Sequence, residues 1–515
     1  MAADFVSRWA DFTGGDYGLR DPSKAGRTQF RGTNVVLYDS ELLGVRPGLA
    51  KLNIAGLPNH PDTVGPRGFD IWNDQLILVL DQPWKIPIPP DKDTATTAAS
   101  MGTFVHGDAV GPVRMAQFRQ DLYFNVDGHI YKYADPSGPL TQISVPARLK
   151  GLTRWNYYLV AWDIDNPQRI WFTDVGEFGA DPDVWGPNNF LDVGGNEPIT
   201  GLFPMYNYLY AAKQSGWYAV SGILNDRPFV RRVTNGNGML DDRQGTITAD
   251  NRVLYWGKGN APVWFNGDTA YFDKNFRIEG LEQSYPADSV VASPTQRRVL
   301  MLGEQATDFD HAGAKSDMLY YDNGQWSTHA FSKALGGIAG HDLRVNMDGP
   351  GDVMYLVNRA SAIGTPVEIY SFHTELSRPA RASDPWSDPN DQDLDRLLEG
   401  AVDLPAFYDA QSRMCMVRSV IVQFRHWPSE GDEDLNELQC QIKPMGKFEG
   451  GSMDSKPQVW TQPADRAPSG GTDETWRLGF GSIGWANGFQ ISFPRMRGVA
   501  IRSVEAHVEV RTARL

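Results

Sequence analysis

Leu122-Tyr123-Phe124-Asn125-Val126-Asp127-Gly128-His129-Ile130-Tyr131-Lys132-Tyr133 holds the pattern that decides the fold. An apolar run, Leu122 to Val126, meets an Asp-Gly pair and then an aromatic run, His129 to Tyr133. Asx-Gly pairs tolerate the positive φ of tight turns, so the two runs read as a β-hairpin. The pattern recurs between Gly65 and Pro379, roughly every 45 residues. Further apolar runs are Gln75 to Leu80, Tyr157 to Trp162, Tyr206 to Ala211, Arg252 to Trp256, Val299 to Leu302 and Val353 to Val357. Aromatic partners follow most of them: Arg169 to Thr173, Gly216 to Val220, Pro262 to Phe265, Met318 to Tyr321 and Val367 to Phe372. Asn266-Gly267 and Asn323-Gly324 supply more turns. One such sheet cannot bury both its faces alone. Sheets arranged radially can, which predicts a β-propeller. Seven units are counted, with six or eight as alternatives. The apolar run is read as the inner member of each unit and the aromatic run as the outer one. The first unit has only Trp84 to Pro90 as an outer run, so Asn34 to Leu52 is expected to supply a missing strand and close the ring.

The flanks read differently. Phe5 and Trp9 are four apart behind Asp4, and Gly14-Gly15 follows, which predicts a short helix over Asp4 to Phe12. Residues 1–60 form an N-terminal arm with blade-closing strands, and 61–380 the propeller. Residues 381–413 form an acidic linker, with Leu394, Leu397 and Leu398 on one face of a short helix. Residues 414–515 read as a β-sandwich with strands at Val417 to Phe424, Leu438 to Ile442, Trp476 to Phe480, Phe489 to Phe493 and Val504 to Arg511.

Composition agrees. Gly is 52 of 515 residues, and charged residues are only 22%. A coiled coil would be poor in Gly, and a disordered chain would lack the 41% apolar content. No apolar run approaches the about 18 residues of a membrane-spanning helix, so no membrane insertion is expected. The N-terminus has no signal-peptide core, so synthesis in a cytoplasm is expected. The net charge of −15 argues against tight nucleic-acid binding and is compatible with a conduit that DNA slides past. Cys415 and Cys440 cannot form a zinc site alone and are expected to be buried free thiols.

No catalytic, cofactor-binding or metal-ligating set stands out. HExxH, P-loop and GxSxG motifs are missing from the sequence. Gly479, Gly481 and Gly484 match GxGxxG but sit in a β region, so they are read as a glycine-rich hairpin. Asp388 to Asp395 could hold a cation, but Asp393 stands where an EF-hand loop requires Gly. A solvated acidic linker is the preferred reading. The scattered histidines, His329 and His341 among them, default to structural roles. Trp155, Tyr157, Trp171 and Trp185 are either blade packing or a sugar platform, with packing favoured. Asp322-Asn323-Gly324-Gln325-Trp326 partly resembles the Asp-box turn of sialidase-type propellers, with Tyr320 replacing the preceding Ser or Thr.

The N-terminal stretch carries a second resemblance. Gly14-Gly15, then Asn34-Val35-Val36-Leu37-Tyr38, then Gly44-Val45-Arg46-Pro47-Gly48 is similar to the opening of tail β-propeller proteins of tailed bacteriophages. That family includes tail-nozzle proteins of short-tailed phages and related minor tail proteins. The resemblance covers about 50 residues at motif level. It implies a structural virion protein, not an enzyme, in the tail nozzle or tail tip. It further implies a ring of copies, a hexamer or alternatively a trimer, that contacts other tail proteins and forms part of the DNA exit path. Arg46-Pro47-Gly48 suits a type II turn, with Arg46 either pairing with a neighbouring subunit or lying on the surface. The competing readings are a propeller glycoside hydrolase or lyase, and a receptor-binding protein acting on host-surface polysaccharide.

Overall fold

The computed structural model describes residues 4–10, 15–16, 29–30, 35–38, 42–46, 49–90, 92–134, 138–176, 179–222, 224, 226, 228–258, 261–276, 287–293, 298–303, 316–322, 324–331, 335–343, 352–373, 401–407, 414–426, 437–448, 451–452, 458–463, 472–484, 486–492 and 499–511. Among them the chain is all β apart from a short 3₁₀ turn, Asp242–Gln244.

Seven four-stranded antiparallel sheets form the blades of a propeller. Blade one takes Gly68–Trp72, Gln75–Val79, Pro83–Pro87 and Ala99–Ser100. Blade two takes Arg114–Phe118, Asp121–Val126, His129–Tyr133 and Leu140–Ile143. Blade three takes Leu149–Trp155, Tyr158–Asp163, Arg169–Phe172 and Phe190–Asp192. Blade four takes Ile199–Met205, Tyr208–Lys213, Gly216–Ser221 and Phe229–Arg232. Blade five takes Gly245–Ile247, Val253–Trp256, Pro262–Phe265 and Ala270–Phe272. Blade six takes Ala287–Ala292, Arg298–Gly303, Ser316–Asp322 and Gln325–Phe331. Blade seven takes Leu335–Leu343, Asp352–Asn358 and Ile369–His373, and its fourth strand is Leu49–Lys51. The N-terminal segment therefore closes the ring, as expected, but on the last blade. Blade one completes itself with Ala99–Ser100, a pair of small residues that no aromatic signal marks.

The inner and outer assignments also shift by one strand. The first strands of successive blades lie side by side, and that of blade seven returns to that of blade one. They line the axis. The apolar runs are second strands and the aromatic runs third strands. Alternation explains their composition. Leu76 and Leu78 pack against Val353, Tyr355 and Val357 of blade seven, whereas Ile77 and Val79 pack against Leu122, Phe124 and Val126 of blade two. Each second strand feeds two inter-blade cores, so both its faces are apolar. Blade six and blade seven share a further core with Leu42 and Ala500, which come from outside the propeller.

Polar ties reinforce the seams. Asn125 Nδ2 donates to Leu149 O at 2.9 Å. Buried Lys213 donates to the carbonyls of Val193 and Gly194 at 2.9 and 2.8 Å. Asp273 accepts from the indoles of Trp264 and Trp326 at 2.8 and 3.1 Å, and Trp326 is the last residue of the Asp-box-like turn.

The C-terminal domain is two sheets, as expected, but it recruits the N-terminus. Its larger sheet orders Val35–Tyr38, Leu42–Val45, Val499–Arg511, Met414–His426 and Thr472–Gly484, with Asp4–Ala10 also on Val499–Arg511. Its second sheet holds Ala401–Phe407, Ala486–Ser492, Glu437–Phe448, Gly451–Ser452 and Gln458–Pro463. The domain thus starts by Ala401 and takes in three strands of the arm, Asp4–Ala10, Val35–Tyr38 and Leu42–Val45. The predicted helix at Asp4 is a strand. Its Phe5 and Trp9 spacing fits both periods, but Ser7 and Trp9 are buried while Val6 and Arg8 are exposed, a period of two. The Gly479, Gly481 and Gly484 segment is no hairpin either. It lies within one strand, Thr472–Gly484, paired with Met414–His426. Cys415 and Cys440 fall in different sheets. The linker helix and the Asp388 to Asp395 stretch lie outside the described residues.

Candidate binding site at the channel mouth

The first strands begin at one end of the axis, and a cavity of about 480 Å³ opens there. Arg67, Gly68, Phe69 and Asp70 line it from blade one, and Arg114 and Met115 from blade two. Gly336, Gly337 and Arg359 reach it from blade seven, and Arg243 from the 3₁₀ turn before blade five. Glycine leaves room where first strands crowd. A Cβ on Gly68 would stand 3.1 Å from Val113 O and 3.2 Å from Met115 Cε.

The channel is bridged at this level. Arg114 Nε donates to Asp242 Oδ2 at 2.6 Å, joining blade two to the lead-in of blade five across the axis. Arg114 Nη2 is sealed from solvent and has no hydrogen-bond partner. Asp241 caps the 3₁₀ turn, accepting from the Arg243 amide at 2.9 Å and from Arg243 Nε at 3.1 Å. Burial pushes its carboxyl up, but these Arg243 bonds outweigh burial and hold it at about 2. Asp70 behaves oppositely. Burial pushes it to about 6 against the pull of the Ile71 amide and Arg114. Its accessible surface is intermediate, so it meets the cavity while protein encloses most of it. Arg67 pairs with Asp62. Two carboxylates with opposite shifts therefore lie around one guanidinium, that of Arg114.

Of the assembly-motif residues singled out in the sequence, Gly15, Tyr38 and Arg46 are described, and none of them lines this cavity. Gly14, Asn34, Pro47 and Gly48 lie outside the described residues. Gly15 sits in a two-residue strand paired with Gln29–Phe30, and Tyr38 ends a hairpin strand opposite Leu42. Arg46 is neither a surface residue nor free to reach a neighbouring subunit. It is 1% exposed, with Cζ 4.3 Å from the Phe331 ring centroid, at the junction of propeller and C-terminal domain. The Leu42 and Leu49 side chains on either side of the turn share one core, and the chain carries Arg46 inward with them. His329 beside it is held neutral, first by burial and then by Arg46. Trp155, Trp171 and Trp185 are packing residues, all buried, whereas Tyr157 is 69% exposed.

Sequence reading missed Arg67, Asp70, Arg114, Asp241, Asp242, Arg243 and Arg359. The only available signal was the mixed-charge run Asp241-Asp242-Arg243 between apolar runs. Among the described residues no cluster of three or more His, Cys, Asp or Glu could hold a metal ion. None of their helices is long and apolar enough to cross a membrane.

No family model matches the chain, and no curated protein matches it. Solved structures do. The WD40 repeats of RRP9 align at 11% identity and TM-score 0.40, over 64% of this chain and 99% of that one. The designed protein Ika8 aligns at 10% identity and TM-score 0.35, over 62% and 99%. An exo-β-1,3-galactanase from Phanerochaete chrysosporium aligns at 10% identity and TM-score 0.27, over 79% and 99%.

Proposed function

We propose that the chain is a structural subunit of a bacteriophage tail, built into a nozzle or tail-tip ring and acting without catalysis. One observation carries this reading. The N-terminal stretch that resembles tail proteins is also the stretch that fastens the molecule together. Asp4–Ala10, Val35–Tyr38 and Leu42–Val45 complete the C-terminal sheet, and Leu49–Lys51 closes the propeller. Such bracing suits a part that bears load. The Arg114–Asp242 bridge crosses the propeller's own axis, so a DNA path would lie between copies, as a ring provides. The copies would number six in a nozzle, with three as the alternative in a tip. Antibody raised against the purified chain should label particles at the tail end in negative stain, and averaged rings should show the copy number. Particles that lack the chain, together with a purified chain that stays monomeric, overturn the reading.

A second reading is supported by the opposite shifts of Asp70 and Asp241. A glycoside hydrolase uses one protonated and one ionised carboxyl. Against it, Arg243 holds Asp241 in a turn-capping bond. Release of reducing sugar from host-surface polysaccharide that stops in D70N would favour this reading.

A further inference from the structure

We propose that the end of the propeller opposite the cavity binds a neutral oligosaccharide chain across the tips of blades three and four. First and second strands meet there in two-residue turns. Trp155 stands opposite Tyr158 around Asn156-Tyr157, and Met205 opposite Tyr208 around Tyr206-Asn207. Each tip holds one tyrosine and one asparagine, all exposed. Tyr157 at 69% and Tyr206 at 63% are the most exposed aromatic rings among the described residues. Tyr206 also takes a conformation that its side chain disfavours. The first residue of each turn is left-handed, Asn156 with φ +52 and Tyr206 with φ +53. Asparagine tolerates that region, and a bulky side chain does not. In blade four the asparagine stands one position too late to take the strained place. The turn therefore carries strain that folding does not require, and strain of that kind collects at binding sites.

The groups beside the rings select the ligand. A pyranose has an apolar C–H face, which stacks on an aromatic ring, and an edge of hydroxyls, which bond to planar amides. Ring and amide side by side match both, and the pair is presented twice on neighbouring blades. Sheets packed face to face stand about 10 Å apart. Two such pairs therefore suit a ligand that repeats along its length and is longer than one sugar. The row continues toward blade five. Tyr208 is half-buried, with its ring centroid 5.8 Å from that of buried Tyr210. Third-to-fourth turns share this end, and there Arg231 of blade four pairs with exposed Asp268 of blade five at 3.9 Å. Both groups of that pair meet solvent, so both can turn to sugar hydroxyls. A nucleic acid would need an excess of cations beside the rings, whereas these are amides and one balanced pair. The most exposed aliphatic side chains of the propeller, Val64, Val105, Val110 and Ile363, lie at the cavity end. The tyrosine tips are thus no part of an aliphatic patch of the kind that protein contacts bury.

Isothermal titration calorimetry on the full chain tests this with cellohexaose, chitohexaose and maltohexaose as probes. The matching disaccharides and a single-stranded thymidylate oligomer serve as controls. At least one hexasaccharide should bind, and its disaccharide should bind about tenfold more weakly or less. Y157A and Y206N should each weaken the hexasaccharide about tenfold. Y206N should also raise the urea midpoint, because asparagine suits the left-handed turn position, so its lost binding is not misfolding. The proposal is overturned if none of the three hexasaccharides binds, or if both variants bind as wild type does. A disaccharide as tight as its hexasaccharide, tighter binding of the thymidylate oligomer, or a lower urea midpoint in Y206N overturns it as well. So does self-association in analytical ultracentrifugation that Y206N abolishes, which would make the tips a contact between copies. Tail rings seen in stain without any sugar binding would leave the tail reading standing and sink this one.

Discussion

Gly151 shows how tightly the first strands are fitted. It sits at a bulge in the inner strand of blade three with φ +66, and a Cβ there would overlap the indole of Trp162. G151A should lose about 2–4 kcal/mol, read as a lower urea midpoint by tryptophan fluorescence. A G151A midpoint equal to wild type would show that the ring can swing aside. His329 sets a pH limit. Its imidazole stays neutral in the fold, because of burial and then Arg46, while the unfolded chain takes up a proton below about pH 6.5. The unfolded state then binds more protons, so stability should fall as pH drops through that region and be complete above it. Asp70 has the opposite sign. Its folded value lies above the unfolded one, so its contribution is present at low pH and fades as pH rises from about 4 through about 6. Urea midpoints of H329F and D70N against wild type, across that range, should separate the two. Arg46 could not be read as buried from sequence, since a turn with Pro and Gly ordinarily sits at the surface.

At the scale of the element, legibility follows burial. Second and third strands were readable because they are apolar on both faces, as in Leu254 and Trp256 on one side and Val253 and Tyr255 on the other. First strands were not, because they carry glycines, bulges and charged residues toward the axis. Bulges interrupt the first strands of blades three, four, six and seven. Fourth strands such as Phe229–Arg232 are short and largely exposed. The candidate site was lost with the first strands, since Asp70 and Arg114 both stand on them. The closing strand is the sharpest element to test. Ala50 is fully buried opposite Ser371, and A50P should cost about 3 kcal/mol or more by removing a ladder donor and wedging the seam. Limited proteolysis should then cut earliest near residues 49–51. A protease pattern identical to wild type would mean that the ring is held without this strand.

For the whole molecule, the seam between propeller and C-terminal domain is a shared core and not a hinge. Leu42 and Ala500 pack among Leu300, Tyr320, Phe331, Met354 and Phe372. Removing residues 1–48 should strip three strands from the larger sheet and leave Val499–Arg511 with an open edge, a template for aggregation. Size-exclusion chromatography should show soluble full-length protein and aggregated truncated protein. A monodisperse truncated chain would mean that the C-terminal sheet stands without the arm. The sequence pattern gave no hint of this pairing, because partners such as Asp4 and Glu509 lie roughly 500 residues apart and no local signal spans that distance. That separation has a kinetic consequence. During synthesis Asp4–Ala10 and Leu42–Val45 emerge early, yet their common partner, Val499–Arg511, emerges only after the propeller and the rest of the sandwich. They must wait with exposed edges until that strand is made. Val499–Arg511 then completes the sheet in a single event, docking two waiting strands on one side and Met414–His426 on the other. A chain cut short before residue 499 would retain every strand of the propeller and lack the strand that joins Asp4–Ala10 and Leu42–Val45 to Met414–His426.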